Sequence, residues 1–247
     1  MAETVAKKTV DGLESANGCD SILQMSMMQS SLEDAGLTLG SLSSFFQVHT
    51  FDMSSDFGVD GTILTTVVGA FTAGDVYNIY LVDDFLAVPS TVYQYDYTTD
   101  KDTYDTFILG FDLSTGDGAV PYCYAHIPGS LDDNYRMDMW DGHLRIATRT
   151  SETVIHKIYV LEIPSIGDGP GPMTLVGESE NLAGMNGHIT DARFVGDKAY
   201  ITWAGKETYE FVVVDLSVHL DPHVVGNVEV SSFGSSQTRL FASLSTV

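Results

Sequence analysis

The chain has 247 residues and a formal net charge of −23, from 11 Lys and Arg against 34 Asp and Glu. This acidity argues against nucleic acid as a partner, because phosphate binding needs a basic stripe, and it disfavours an anionic membrane surface. With 44% hydrophobic residues, the chain can bury a core. No stretch approaches the roughly 18 apolar residues of a membrane span, so we expect no membrane insertion.

The N-terminal residues do not form the apolar core of a signal peptide, so no export signal is expected in residues 1–44. These residues show no sustained periodicity, and we predict a weakly structured N-terminal segment. Cys19 and Cys123 are too few for a disulfide framework and leave the redox compartment open.

From residue 45 onward, short β-rich runs alternate with Gly, Asp and Pro turn signals. Two sequence elements recur along these runs in fixed order. One is an apolar–acid–apolar triplet that closes a strand, and the other is a tight acidic or glycine turn that opens one. The triplets are Phe51-Asp52-Met53, Phe111-Asp112-Leu113, Leu161-Glu162-Ile163 and Val214-Asp215-Leu216, and the turns centre on 83–84, 141–142 and 196–197.

The triplets lie about 50 to 60 residues apart, and two further strand-like runs fall in each interval. Four strands in a repeat of this size are typical of a β-propeller blade. We therefore predict an all-β fold with a partial β-propeller over residues 45–233 and a Ser-rich tail at 234–247. The propeller would comprise a half blade at 45–69 and full blades at 76–127, 134–179 and 188–230.

About three and a half blades of four antiparallel strands fall short of the four to eight of a closed propeller. We expect an incomplete ring, which a second copy, a partner chain, further blades of a longer chain or strands within residues 1–44 would complete.

The same residues resemble a family of secreted microbial proteins with a C-terminal β-propeller domain distantly related to WD40 repeats. The resemblance is most specific from Pro128 to Thr148, and it continues through Glu180 to Gly184, Ala192 to Tyr200 and Val213 to Ser217. It implies a location outside the cell or at the cell surface, and a partial or divergent family member. It implies no catalytic residues.

The densest acidic cluster is predicted on a loop between the second and third strands of the first full blade. Asp96, Asp100, Asp102 and Asp105 could supply oxygen ligands to Ca²⁺, but their spacing does not match an EF-hand. The alternative, which we favour, is a solvated acidic hairpin whose tyrosines pack on the neighbouring blade. No other cofactor is indicated.

The first strand of each blade should line the central channel, with alternate residues facing it. The ligand-face candidates from these strands and the loops before them are Asp132, Asp133, Asn134, Arg136, Asp138, Asn186, His188, Asp191 and Arg193. Asn78 and Tyr80 are further candidates for the channel lining. The structural alternative is that Arg136–Asp138 and Asp191–Arg193 form salt bridges between blades.

We favour a non-enzymatic binding or scaffold module in which one propeller face engages a protein or a polysaccharide. A second hypothesis is a glycan-acting hydrolase or lyase, with Asp132, Asp133 and Asp138 as carboxylates at the channel mouth. A third is a calcium-stabilised structural module. The acidity suits a soluble binder and equally a saline environment.

Overall fold

The computed structural model describes residues 44–51, 65–98, 100–114, 118–131, 136–150, 156–165, 171–182, 188–204 and 208–231. These residues form strands joined by turns and bends, with no α-helix among them. Within this part of the chain, no helix has the length and hydropathy to cross a membrane.

The strands assemble into a two-stranded pair and three larger antiparallel sheets. The pair, called the half blade, consists of β1 (Ser44–Phe51) and β2 (Thr65–Thr72). Blade 1 consists of β3 (Tyr80–Val82), β4 (Phe85–Asp96), β5 (Lys101–Asp112) and β6 (Val120–Pro128). Blade 2 consists of β7 (Met137–Trp140), β8 (His143–Arg149), β9 (His156–Glu162) and β11 (Thr174–Glu178). Blade 3 consists of β12 (His188–Val195), β13 (Lys198–Ala204), β14 (Thr208–Asp215) and β15 (His223–Ser231).

The predicted fold class is therefore confirmed: the chain forms propeller blades of four antiparallel strands, and the described sheets do not close a ring. One short strand, β10 (Gly171–Pro172), was not predicted. It pairs in parallel with β6, so it ties the loop before β11 to the outer edge of the preceding blade.

Alternate residues of each strand contribute to different cores, as the two-residue period of a strand requires. On β5, Phe107 and Leu109 pack between the half blade and blade 1, whereas Ile108 packs between blades 1 and 2. On β8, Ile146 faces blade 1 and Ala147 faces blade 3. A sheet buried on both faces explains the nearly continuous apolar runs of the sequence.

The repeated sequence elements meet at one face of the propeller, called here the turn face. It carries the two-residue turns after the first strands (83–84, 141–142 and 196–197) and the segments that follow the third strands. Asp83, Asp141, Gly142 and Gly196 have the positive φ that such turns demand. In each blade, the backbone N–H after the triplet's acid donates to a turn carbonyl: Leu113 to Asp84, Ile163 to Gly142 and Leu216 to Asp197.

The acid of the triplet also has a local structural role. The carboxylate of Asp112 accepts a 2.8 Å hydrogen bond from the backbone N–H of Ser114, and Asp215 accepts the same bond from Ser217. A carboxylate that bonds the backbone two residues ahead stabilises a turn. Asp112 and Asp215 therefore stabilise the turns that follow their strands.

Candidate functional site

The opposite face, called the loop face, carries the hairpin end of β4–β5 and the loops that precede the first strands. Among the described residues, a cleft of about 550 Å³ opens here between the loop after β2, the blade 1 hairpin, the loop after β6 and the end of β8. Three tyrosines line it together with an acid, an amide and a cation. These side chains are Tyr77, Tyr93, Tyr104, Asp75, Asn78 and Arg149.

The unusual length of the blade 1 hairpin creates one wall of the cleft. β4 and β5 have 12 residues each, whereas β8 and β9 of blade 2 have 7 each. The additional residues extend the hairpin beyond the blade. Tyr93 and Tyr104 lie directly opposite each other in this extension, and their ring centroids are 5.3 Å apart.

Neighbouring carboxylates hold the tyrosines in place. The Tyr77 hydroxyl donates to Asp75 at 2.9 Å, and the Tyr93 hydroxyl donates to Asp102 at 2.5 Å. The hydrogen bond to Asp102 raises the pKa of Tyr93 to about 12, and the bond to Asp75 raises the pKa of Tyr77. Tyr77 is 80% exposed and Tyr93 54% exposed, so their rings remain available to a ligand.

Arg149 brings a positive charge to the same cleft. Its backbone forms two hydrogen bonds with Ser130, of 2.7 and 3.1 Å, which join the end of β8 to the loop after β6. The Nε atom of Arg149 is buried and has no hydrogen-bond partner among the described residues. A guanidinium in this position can donate to an oxygen-rich ligand.

A second, central cleft of about 340 Å³ lies where the first strands of the three blades converge. Tyr80, Asp138 and Arg193 line it together with apolar side chains from the same strands. Arg193 forms a 2.6 Å ion pair with Asp191, and both side chains are about half exposed.

The profile of the beta propeller domain family matches residues 31–235. The chain belongs to the beta propeller domain family. This membership supports a binding or scaffold role at a general level.

Two curated proteins resemble part of this propeller. An uncharacterized protein of Methanocaldococcus jannaschii is 31% identical over 114 residues, which cover 44% of this chain and 17% of that protein. An uncharacterized protein of Archaeoglobus fulgidus is 30% identical over 114 residues, which cover 46% of this chain and 17% of that protein. The matched segment thus spans less than a fifth of either relative. No solved structure matches the chain.

In the predicted calcium cluster, the structure places Asp105 apart from Asp102. Asp100 and Asp102 accept hydrogen bonds from Tyr95 and Tyr93. Asp105 lies on the other side of β5 from Asp102, because residues an odd number apart alternate, and it contacts His126 at 2.8 Å. The Asp96 side chain lies outside the described residues. No group of three or more metal-ligating side chains occurs in the described part of the propeller, and the calcium site stays a prediction.

The structure corrects the salt bridges considered between blades. Asp138 pairs with Arg145 rather than Arg136, because the two-residue turn at 141–142 sets it directly opposite Arg145. The Asp191–Arg193 pair lies within one strand. Arg136 is buried, and it donates a 2.9 Å hydrogen bond to the carbonyl of Ile189 in blade 3.

The remaining ligand-face candidates cannot be placed in either cleft. Asp132, Asp133, Asn134 and Asn186 lie outside the described residues, and of His188 only the backbone is described, at the start of β12. Conversely, Asp75, Tyr77 and Arg149 line the loop-face cleft although sequence analysis did not select them. The only feature of the sequence that could have indicated them is their position at strand ends on the same face of the propeller.

Proposed function

We propose that this propeller is a non-enzymatic binding module whose loop-face cleft holds a glycan chain. The observation that carries the proposal is the grouping of Tyr77, Tyr93 and Tyr104 with polar side chains in one open cleft. Asn78 and Arg149 supply hydrogen-bond donors beside the aromatic rings.

A sugar ring needs both kinds of contact. Its C–H groups form an apolar face that packs on the negative face of an aromatic ring, while its hydroxyls need donors and acceptors in the surrounding wall. Tyrosine supplies a large, rigid contact surface at a small loss of side-chain entropy. The carboxylates of Asp75 and Asp102 fix the rings further, which reduces the entropy lost on binding.

A glycan suits the charge of the protein and the location that the resemblance implies. At −23, the chain repels other polyanions, and a neutral polysaccharide carries no such penalty. We propose a location outside the cell or at its surface, where polysaccharides are exposed. A protein ligand would use the same loop face.

The hydrolase alternative gains no support from Asp138. Its Oδ2 atom accepts a 3.0 Å hydrogen bond from Nε of Arg145 and a second bond from Nη2 of the same side chain. Both bonds end on the same oxygen, so this carboxylate is held in an ion pair within blade 2.

Binding to a panel of soluble neutral and uronic-acid polysaccharides, measured by affinity electrophoresis and calorimetry, tests the proposal. We expect affinity for a neutral glycan, and a loss of about tenfold or more in Tyr93→Ala because stacking on its ring is removed. Tyr97→Ala is the matched control: Tyr97 belongs to the same hairpin and is 90% exposed, but it does not line the cleft.

Equal losses in Tyr93→Ala and Tyr97→Ala, or no binding to any glycan, would overturn the proposed site. Release of reducing ends during incubation with the bound glycan would show that the module is an enzyme.

A further inference from the structure

Two histidine side chains meet on the turn face, where blade 2 packs against blade 3. His143 begins β8, directly after the two-residue turn of blade 2, and His219 lies in the segment between β14 and β15 of blade 3. Their ring centroids are 3.9 Å apart at an interplanar angle of 54°, and both residues are partly buried. Because the rings belong to different sheets, only the packing of the two blades brings them together.

The backbone around each histidine is held in place. His143 belongs to a strand that pairs with β7 on one side and with β9 on the other. The turn that carries His219 is closed by a 3.0 Å hydrogen bond from the backbone N–H of Asp221 to the carbonyl of Val218. This turn rests on Gly177 of β11 so closely that a Cβ atom there would lie 1.9 Å from the carbonyl oxygen of His219. The two imidazoles are therefore positioned before any ligand binds, which reduces the cost of binding.

The hydrogen bonds of the pair leave ring nitrogens open. Nδ1 of His143 lies 2.7 Å from the backbone carbonyl oxygen of Asp141. A carbonyl can only accept, so Nδ1 carries the proton and Nε2 keeps its lone pair. Metal-binding histidines are commonly oriented by such a bond from their second nitrogen. Within the described segments, the ring of His219 packs on His143 and forms no hydrogen bond that would occupy its nitrogens.

The surroundings favour the neutral imidazole that a metal ion requires. Burial, followed by the proximity of His143, lowers the pKa of His219. Of the charged groups nearby, Arg145 lowers this pKa as well, and Asp141 acts in the opposite direction. Two adjacent imidazolium ions would repel each other, whereas two neutral rings can share one cation through their lone pairs.

We propose that His143 and His219 bind a divalent transition metal ion that prefers imidazole ligands, such as Zn²⁺. Two nitrogens bound to a tetrahedral Zn²⁺ at about 2.0 to 2.1 Å lie roughly 3.3 Å apart, which matches the close approach of the two rings. No third His, Cys, Asp or Glu of the described residues joins the pair, so water or an external ligand completes the coordination. The bound ion links blade 2 to blade 3. This inference does not depend on the glycan cleft.

Calorimetric titration of the full, chelator-treated chain with Zn²⁺ near neutral pH tests the proposal. We expect saturation at one ion per chain, and a loss of about tenfold or more in affinity in His143→Gln and in His219→Gln, because each variant lacks one of two ligands. Zn²⁺ should also raise the urea midpoint of the unmodified chain, since the ion binds the packed blades in preference to the unfolded chain. This shift should disappear in both variants.

His223→Gln is the matched control. It removes a histidine from the same end of blade 3, where Nδ1 lies 2.8 Å from the Asp221 carbonyl oxygen and the side chain is 49% exposed. The variant should keep the affinity for Zn²⁺ and the shift of the urea midpoint. An equal loss in His223→Gln would assign the ion to exposed histidines in general, and the absence of saturable binding would exclude a metal site. Either result overturns the proposal.

A measurement on the unmodified chain needs no variant to fold. Its affinity for Zn²⁺ should fall steeply as the pH drops through about 6.5, because protons compete with the ion for the imidazole nitrogens. An affinity that stays constant down to about pH 5 would assign the ion to carboxylates, which remain ionised there, and would also overturn the proposal.

Discussion

The two faces of the propeller use the same residue types for different purposes. On the turn face, Asp112 in blade 1 and Asp215 in blade 3 each accept a hydrogen bond from the backbone two residues ahead. On the loop face, acids such as Asp102 bond to tyrosine hydroxyls and hold exposed rings beside an open cleft. The first arrangement recurs at the same repeat position in two blades, whereas the second occurs among the described residues at segments 75–77 and 93–102 of the loop face. The acids at repeat positions therefore have a structural role, and those beside the tyrosines support the proposed site.

The largest expected difference between the faces concerns two arginines at the two ends of one strand. Arg145 is fully buried near the turn face, where Nη1 donates a 2.6 Å bond to the Gly196 carbonyl of blade 3 and its guanidinium lies 5.2 Å from the centroid of the Phe194 ring. Arg145→Ala leaves the Asp138 carboxylate without its cation and should cost about 3 to 5 kcal/mol of unfolding free energy. Urea titration measures this change.

Arg149→Ala, at the loop-face end of the same strand, is the control. It should reduce glycan affinity and change the unfolding free energy by less than about 1 kcal/mol. An equal fall in unfolding free energy in both variants would contradict the view that the turn-face arginine is structural and the loop-face arginine binds ligand.

A matched pair of aspartates gives a smaller effect. Asp112→Ala removes the carboxylate that accepts the backbone N–H of Ser114, so unfolding should become easier by about 1 to 3 kcal/mol. Asp102→Ala removes the acceptor of the Tyr93 hydroxyl and releases the ring, so it should weaken glycan binding several-fold without moving the urea midpoint. A midpoint that falls in Asp102→Ala but not in Asp112→Ala would reverse the comparison.

The smallest expected difference is in pH dependence. His219 lies against His143 on the turn face, with ring centroids 3.9 Å apart, and burial, followed by the nearby His143, lowers the pKa of His219. The unfolded chain therefore takes up this proton first, and stability should fall slightly as the pH drops below about 6.5. His219→Gln should flatten that part of the stability curve.

Glycan affinity should stay constant between pH 6 and 9, because the raised pKa of Tyr93, about 12, keeps its hydroxyl protonated. Calorimetric titrations at several pH values measure this. A decline in affinity between pH 6 and 9 would mean that another group, which titrates in that range, contributes to binding.

The blade repeat was predictable because its causes are local. The two-residue turns and the acids of the triplets recur at fixed places in each repeat, and both depend on residues next to them in sequence. The Asp138–Arg145 pair was predictable in principle as well, since a two-residue turn at 141–142 fixes which residues face each other. The sequence analysis instead paired Asp138 with Arg136, its neighbour along the chain, and did not consider the register across the turn.

The loop-face cleft was only partly predictable. The tyrosines and acids of residues 93–105 stand out in the sequence, but Asp75, Tyr77 and Arg149 come from three separate segments. Only the packing of the half blade, blade 1 and blade 2 brings them together. These three residues do not recur from one repeat to the next, so no sequence pattern predicts that they meet.

Hydrogen–deuterium exchange of the intact chain, with and without a saturating neutral glycan from the panel, tests the division of the two faces most directly. We predict that protection concentrates in residues 73–78, 91–94, 103–105 and 129–131 on the loop face, with no change in the turns at 83–84, 141–142 and 196–197. Protection centred on those turns, or spread evenly around the blades, would contradict the assignment of binding to the loop face.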